Sequence, residues 1–206
     1  MSVTLFPYAT NQPQDSFILQ TQGLVQGCAY DDPSTRMELA NGTLNSNETL
    51  PMWGGVPIEE LINVMGVNSE GLGPSLKRAT SQATITGWTV YNQASSMVIV
   101  PGNSAPVAGV GNGLLFYRYG TQARIAVQCD PALVAALVSA DGSIVSQALY
   151  WDVAAYRITL TTTGGNFALP TTQKLLGVQT NSKIISYNSG TGAVTWTTGD
   201  AAILLL

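Results

Sequence analysis

Hydrophobic residues fall along this chain in two regimes. Through residues 1–50 they come as short isolated groups, such as Phe17-Ile18-Leu19 and Leu24-Val25, separated by stretches rich in Gly, Asn, Asp and Pro. A segment without sustained spacing of two or 3.6 has no face to bury. Residues 1–50 are therefore expected to form an extended N-terminal arm. Within it, the stretch from Asp32 to Ala40 has a cap, a first-position Pro33 and a stop at Gly42, enough for a turn or two of helix.

The turn cluster Pro51-Met52-Trp53-Gly54-Gly55-Val56-Pro57 opens the second regime. Behind it, Ile58, Leu61, Ile62 and Met65 recur at helical spacing. Pro57 suits a first helical position, Glu59 and Glu60 suit the positive end of the dipole, and Gly66 suits the exit. The spacing predicts a short amphipathic helix over 58–65.

From residue 83 the pattern turns to strands. The segments are 83–91, 97–100, 114–119, 123–129, 143–146, 148–152 and 156–161, rich in β-branched and aromatic residues and punctuated by Gly or Pro. Short strands at this spacing point to a barrel or sandwich. One helix interrupts them at 130–138, where Asp130 caps, Pro131 leads and Ala and Leu follow. Residues 184–187 and 193–197 read as a hairpin around Asn188-Ser189-Gly190-Thr191-Gly192. The terminal run Ala201-Ala202-Ile203-Leu204-Leu205-Leu206 must be paired or buried, because a free apolar tail would aggregate.

The expected fold is therefore mainly β. It is a β-barrel or sandwich with an extended N-terminal arm and two short helices. Three parts follow: an arm over 1–50, a helix plus β-barrel core over 51–165, and a C-terminal hairpin segment over 166–206, divided from the core near Gly164-Gly165.

Composition sharpens this picture. Only 10% of residues are charged, against about 25% in an average soluble domain. Thr (22), Ser (16), Asn (12) and Gln (12) take their place. Neutral polar groups shed water more cheaply than charges, and interfaces are depleted in Lys, Glu and Asp for that reason. The chain is thus suited to life in an assembly, although extracellular β-proteins share the Thr and Ser bias.

The eight basic residues are scattered against twelve acidic ones, with only Lys77-Arg78 adjacent, so no stripe matches a phosphate backbone. No export leader and no membrane span are expected, because no basic-then-apolar start and no apolar run of about 18 residues occurs. Cys28 and Cys129 are expected to be free thiols in a reducing compartment.

Candidate chemistry is thin. The chain contains no histidine, which removes the commonest general base and the preferred zinc ligand. Asp31-Asp32 and Glu59-Glu60 are adjacent, and adjacent side chains on a helix do not face one another; Asp141 and Asp152 read as turn residues. Gly109-Val110-Gly111-Asn112-Gly113 runs into a strand rather than the helix a phosphate loop requires. Asn41-Gly42-Thr43 and Asn47-Glu48-Thr49 match a glycosylation pattern that chance explains in so Asn- and Thr-rich a chain. Neither enzyme activity nor any cofactor is expected. Trp53, Trp88, Trp151 and Trp196 belong in a core or interface, the alternative being a sugar-stacking face. Trp53, in its irregular Pro-Met-Trp-Gly-Gly setting, has the look of an anchor into a neighbour's pocket.

Several of these features together resemble the head decoration (cement) proteins of tailed bacteriophages. They are Glu48-Thr49-Leu50-Pro51-Met52-Trp53-Gly54-Gly55, the following Pro57-Ile58-Glu59-Glu60, Asp130-Pro131-Ala132-Leu133 inside the β region, and Tyr150-Trp151-Asp152 after it. The resemblance covers most of residues 20–165 and leaves the part past 170 unplaced. It implies a structural subunit made in the host cytoplasm that sits on the outer surface of the virion. There it would bridge neighbouring capsomers through contacts with the major capsid protein and with itself, a homotrimer being favoured over a dimer. Neither nucleic acid nor membrane is an expected partner. Phe6, Tyr8, Phe17 and Trp53 are the candidate capsid and self-interface residues. Two other readings remain: a tail or head–tail joining component, and a carbohydrate-binding β-module.

Overall fold

A computed structural model describes residues 23–30, 38–62, 73–90, 105–139 and 148–206. Five short strands close into a barrel: β1 (Leu39–Leu44), β2 (Pro57–Leu61), β3 (Ser75–Arg78), β4 (Gly87–Val90) and β5 (Gly113–Arg118). Their order is β1-β3-β2-β4-β5, with β5 returning to β1. Every neighbouring pair is antiparallel except β1 and β3. A barrel of so few strands has room inside only for side chains. Leu44, Ile58, Leu76, Leu114 and Phe116 share its inner face and fill it, while Trp88, opposite Tyr117, is buried on the outer face. Gly42 lets the parallel pair approach, since a Cβ there would lie 2.7 Å from the Pro74 carbonyl oxygen and 2.8 Å from the Leu76 side chain.

The remaining strands are β6 (Arg124–Gln128), β7 (Tyr150–Asp152), β8 (Arg157–Thr159), β9 (Phe167–Ala168), β10 (Lys174–Tyr187) and β11 (Val194–Leu205). They form two antiparallel sheets, ordered β10-β11-β6 and β8-β7-β9. A helix, α1 (Pro131–Ser139), follows β6, and the Asp130 carboxylate accepts the Ala132 N–H at 2.9 Å, as expected of its cap. One hydrophobic cluster runs from the barrel interior into both sheets, joining Leu76 and Trp88 to Trp151, Leu175 and Leu204.

The mainly β architecture and the closed barrel agree with the sequence reading, and so does the helix at 131–139. The second expected helix does not form: 57–61 is the barrel strand β2, while 63–65 lie outside the described residues. The reason is tertiary. Glu59 sits opposite Lys77, their side chains 3.4 Å apart, and Glu60 reaches Arg118 at 2.9 Å. The two acids serve cross-strand ion pairs rather than a helix dipole. An isolated eight-residue helix is marginal in water, so strand pairing on both edges outweighs it. Ile62, read as part of the buried face, is 98% exposed.

Two further boundaries shift. Residues 82–84 make a 3-10 turn before the strand Gly87–Val90, so the strand expected from 83 begins later. Residues 39–44, assigned to the arm, are a barrel strand, and 23–30 lie against the second sheet through a Val25–Lys183 bridge and an Ala29–Ile125 bridge. The rest of the arm, residues 1–22 and 31–37, lies outside the described residues, as do the strands expected at 97–100 and 143–146.

The C-terminal hairpin is longer than its sequence signal. Its turn is where the Asn-Ser-Gly-Thr-Gly run predicts, with the Asn188 side chain accepting the Gly190 and Thr191 N–H groups. The apolar tail is paired in this subunit: Ala201 to Leu205 bond β6, and Ala201, Ala202, Leu204 and Leu206 are buried. Because β6 precedes Gly164-Gly165 and β11 follows it, this pairing and the shared core cross the expected division.

Candidate functional site

The segment Glu48–Gly55 is a junction. On one side it is held by β3. The Arg78 guanidinium donates to Glu48 Oε2 at 2.7 Å, to the Pro51 carbonyl at 2.6 Å and to the Leu50 carbonyl at 3.3 Å. The Arg78 backbone N–H donates to Glu48 Oε1 at 2.8 Å. The two side chains are only 13% and 14% exposed, so this ion pair is poorly screened. The same guanidinium lies 5.1 Å from the Trp53 ring centre and 5.5 Å from that of Tyr156.

On the other side, Thr89 of β4 donates its hydroxyl to the Trp53 carbonyl at 2.7 Å and accepts the Val56 N–H at 3.0 Å. The wholly buried Gln26 side chain donates to the Gly54 carbonyl at 3.3 Å and accepts the Ile185 N–H at 2.8 Å. It thereby ties the early segment, the junction and β10 together. Gly55 has φ of 80°, a left-handed conformation that favours glycine, and its N–H bonds the Thr89 carbonyl.

The Trp53 ring packs at 5.6 Å nearly parallel to Tyr187 on β10 and edge-on at 5.2 Å to Tyr156. Tyr156, at the turn between β7 and β8, has φ of 54°, which aims its ring across the junction. Beside these rings opens a cleft of about 190 Å³, lined by Trp53, Tyr156, Tyr187, Gln128, Ser186 and Thr197. Ala154, Ala155 and Ile185 complete it, and no charged side chain lines it.

Of the four expected interface residues, Phe6, Tyr8 and Phe17 lie outside the described residues. Trp53 is 1% exposed and packed within its own chain, so it is not the projecting anchor expected. Arg78 and the two tyrosines take up its faces. Trp88 and Trp151 are likewise buried, edge to face at 5.4 Å, while Trp196 is half-buried with the Lys183 ammonium 4.9 Å from its ring centre. The tryptophans therefore do not build a flat exposed sugar-stacking face.

The acids are braced by bases. Arg157 contacts Asp130 at 2.9 Å and Asp152 at 3.7 Å, and Asp152 also accepts the Ala154 and Ala155 N–H groups as a turn residue would. Asp31, Asp32 and Asp141 lie outside the described residues. Among the described residues no group of three His, Cys, Asp or Glu side chains is placed to hold a metal ion. Cys28 and Cys129 are both buried and neither is in a disulfide, and burial pushes the Cys129 thiol up to about 12, so it is neutral at ordinary pH. The Gly109–Gly113 run leads directly into β5, as a structural loop would.

Sequence reasoning missed Arg78, Tyr156, Tyr187 and Gln128. Arg78 is one of a dispersed set of bases, and the tyrosines are separated by 31 positions. The only local signal was Tyr156 beside Arg157 in a turn, and nothing in it specified Trp53 as a partner. No protein-family model, no curated protein and no solved structure matches this chain.

Proposed function

We propose that the protein is a structural virion component that decorates the outside of a phage capsid and strengthens it by bridging capsomers. The observation that carries this reading is the surface chemistry: a chain with 10% charged residues whose polar positions are mostly Thr, Ser, Asn and Gln. Such a surface stays wet alone and is cheap to desolvate against a neighbour. Two features give support. The Glu48–Gly55 segment, which carries the resemblance to decoration proteins, is the piece that Arg78, Thr89 and Gln26 lock in place. The acidic side chains nearest the junction are spent in ion pairs.

The partners in this reading are the major capsid protein and further copies of the chain, with contacts assigned to the arm residues Phe6, Tyr8 and Phe17. The test is to mix purified protein with undecorated capsids and measure co-sedimentation and shell resistance to heat. Saturable binding at fixed lattice positions is expected, with loss on deletion of residues 1–20 while the barrel stays folded. Full binding by the truncated protein, or no binding by the intact one, overturns the proposal.

A further inference from the structure

The chain's two Asn-Gly pairs lie on neighbouring strands, Asn41-Gly42 within β1 and Asn112-Gly113 at the start of β5, and the fold holds them differently. Thr43 turns its N–H to the Pro74 carbonyl at 2.9 Å, and Leu44 turns its own to the Asn112 carbonyl at 3.0 Å. Peptide groups alternate along a strand, so the Gly42 N–H faces its ladder partner Leu114. Gly42 is also pressed on the β3 side, where a Cβ would not fit. The same alternation turns the Gly113 N–H away from β1. On that side β4 reaches only as far as Leu115, opposite Val90, among the described residues. Neither the Gly113 N–H nor the Asn112 side chain has a hydrogen bond among the described residues. Asn112 is half-buried and the adjoining Val110 and Gly111 are exposed, so water reaches the pair.

We propose that Asn112-Gly113 is a self-modification site, where the asparagine deamidates without an enzyme, and that Asn41-Gly42 is protected by its ladder. The Gly113 nitrogen, giving up its proton to hydroxide, bonds to Asn112 Cγ. The Cγ–Nδ2 bond breaks and ammonia leaves with a proton from solvent, closing a five-membered succinimide. Water then opens the ring at either carbonyl, to aspartate or to isoaspartate. Glycine is the most permissive residue after the asparagine, because no Cβ crowds the attacking nitrogen. At Asn41 the same attack requires Gly42 to leave both β3 and β5, a local opening that lowers the reactive population. In the isoaspartate product the chain runs through Cγ and is one carbon longer, and the former Asn112 carbonyl becomes a free carboxylate. That carbonyl accepts the Leu44 N–H and closes β1 on β5 at the rim, so conversion loosens the barrel and adds a negative charge. The inference stands apart from capsid binding, and either can fail without the other.

The test is to hold the folded, full-length protein in warm, mildly alkaline buffer for some days. Peptides are then mapped by mass spectrometry with electron-transfer fragmentation, which separates isoaspartate from aspartate. Asn112 is expected to convert, and Asn41 to convert at least about tenfold more slowly, because its attack waits on opening of the barrel. In urea-unfolded protein the two pairs should convert at rates within about threefold of each other, since only the fold tells them apart. Conversion of Asn112 should slow in mildly acidic buffer, where the Gly113 nitrogen keeps its proton. The melting temperature should fall as Asn112 converts. Asn112→Gln keeps an amide but would have to close a six-membered ring, a far slower reaction, so its melting temperature should hold over the same period. The proposal is overturned if Asn112 stays intact while the unfolded control converts, or if Asn41 converts as fast as Asn112 in the folded protein. An unchanged melting temperature after conversion overturns the loosening of the barrel. An equal fall in Asn112→Gln does the same, giving the loss to another residue.

Discussion

Replacing Arg78 by Leu should destabilise the fold by about 3–5 kcal/mol, the usual cost of removing one partner of a buried ion pair. The structure places the residue near that range. Its guanidinium meets one carboxylate and two carbonyls at 2.6–3.3 Å and lies over two aromatic rings, and both ionic partners are almost out of water. Without it, Glu48 keeps only the Arg78 backbone N–H, and two carbonyls lose their donor. Arg78→Lys should recover part of the loss, because one ammonium keeps the charge but cannot span three acceptors as a planar fork does. The double variant Arg78→Leu/Glu48→Leu should cost clearly less than the two single changes summed, since no lone charge is left behind. Urea unfolding followed by tryptophan fluorescence would measure this as a drop in midpoint at unchanged slope. A loss below about 1 kcal/mol for Arg78→Leu would mean that this pair is screened like a surface bridge, and the junction argument would fail.

Gln26→Ala should cost about 2–4 kcal/mol in the same assay, because it strands the buried Gly54 carbonyl and Ile185 N–H. Gly42→Ala should cost about 1–3 kcal/mol, the price of overpacking where β1 meets β3, read as a lower melting temperature. The Cys129 thiol should resist alkylation in the native protein at pH 8 and react on unfolding in urea. Its pKa is raised from 9.0 to about 12 by burial, so the stability it lends is full below pH 9 and lost as pH rises from 9 toward 12. Cys129→Ala should flatten that alkaline decline in a pH series of unfolding midpoints. Deletion of 201–206 should unfold the second sheet, detected as loss of amide-exchange protection in β6, and a truncated chain with β6 still protected would contradict the pairing described here.

The fold was legible where local pattern and tertiary role coincide. The Asp130-Pro131 start predicts α1, the Asn188–Gly192 turn predicts the hairpin, and the apolar tail predicts its own burial. It was illegible where pairing between distant segments overrides local spacing. Ile58, Leu61 and Ile62 have helical spacing, yet β3 and β4 on either side of 57–61 make it a strand. Residues 39–44 carry too little apolar pattern to announce a strand, because Gly42 and Asn41 serve the close barrel contact rather than a core face. Of the candidate site only Trp53 was visible, for its unusual setting. Its burial was not, because Arg78, Tyr156 and Tyr187 come from three elements that only the finished fold assembles.

The hydrogen bond that the Ile185 N–H donates to the Gln26 side-chain oxygen joins positions 159 residues apart. During synthesis its acceptor waits for a donor that leaves the ribosome near the very end of translation. Loop closure over such a span is slow compared with local pairing. The barrel can form while the early segment is still unsatisfied, and Val25 and Gln26 lack their partners until β10 arrives. The nascent chain is most exposed to chaperones and to self-association in that interval, and slowing translation past residue 173 would lengthen it.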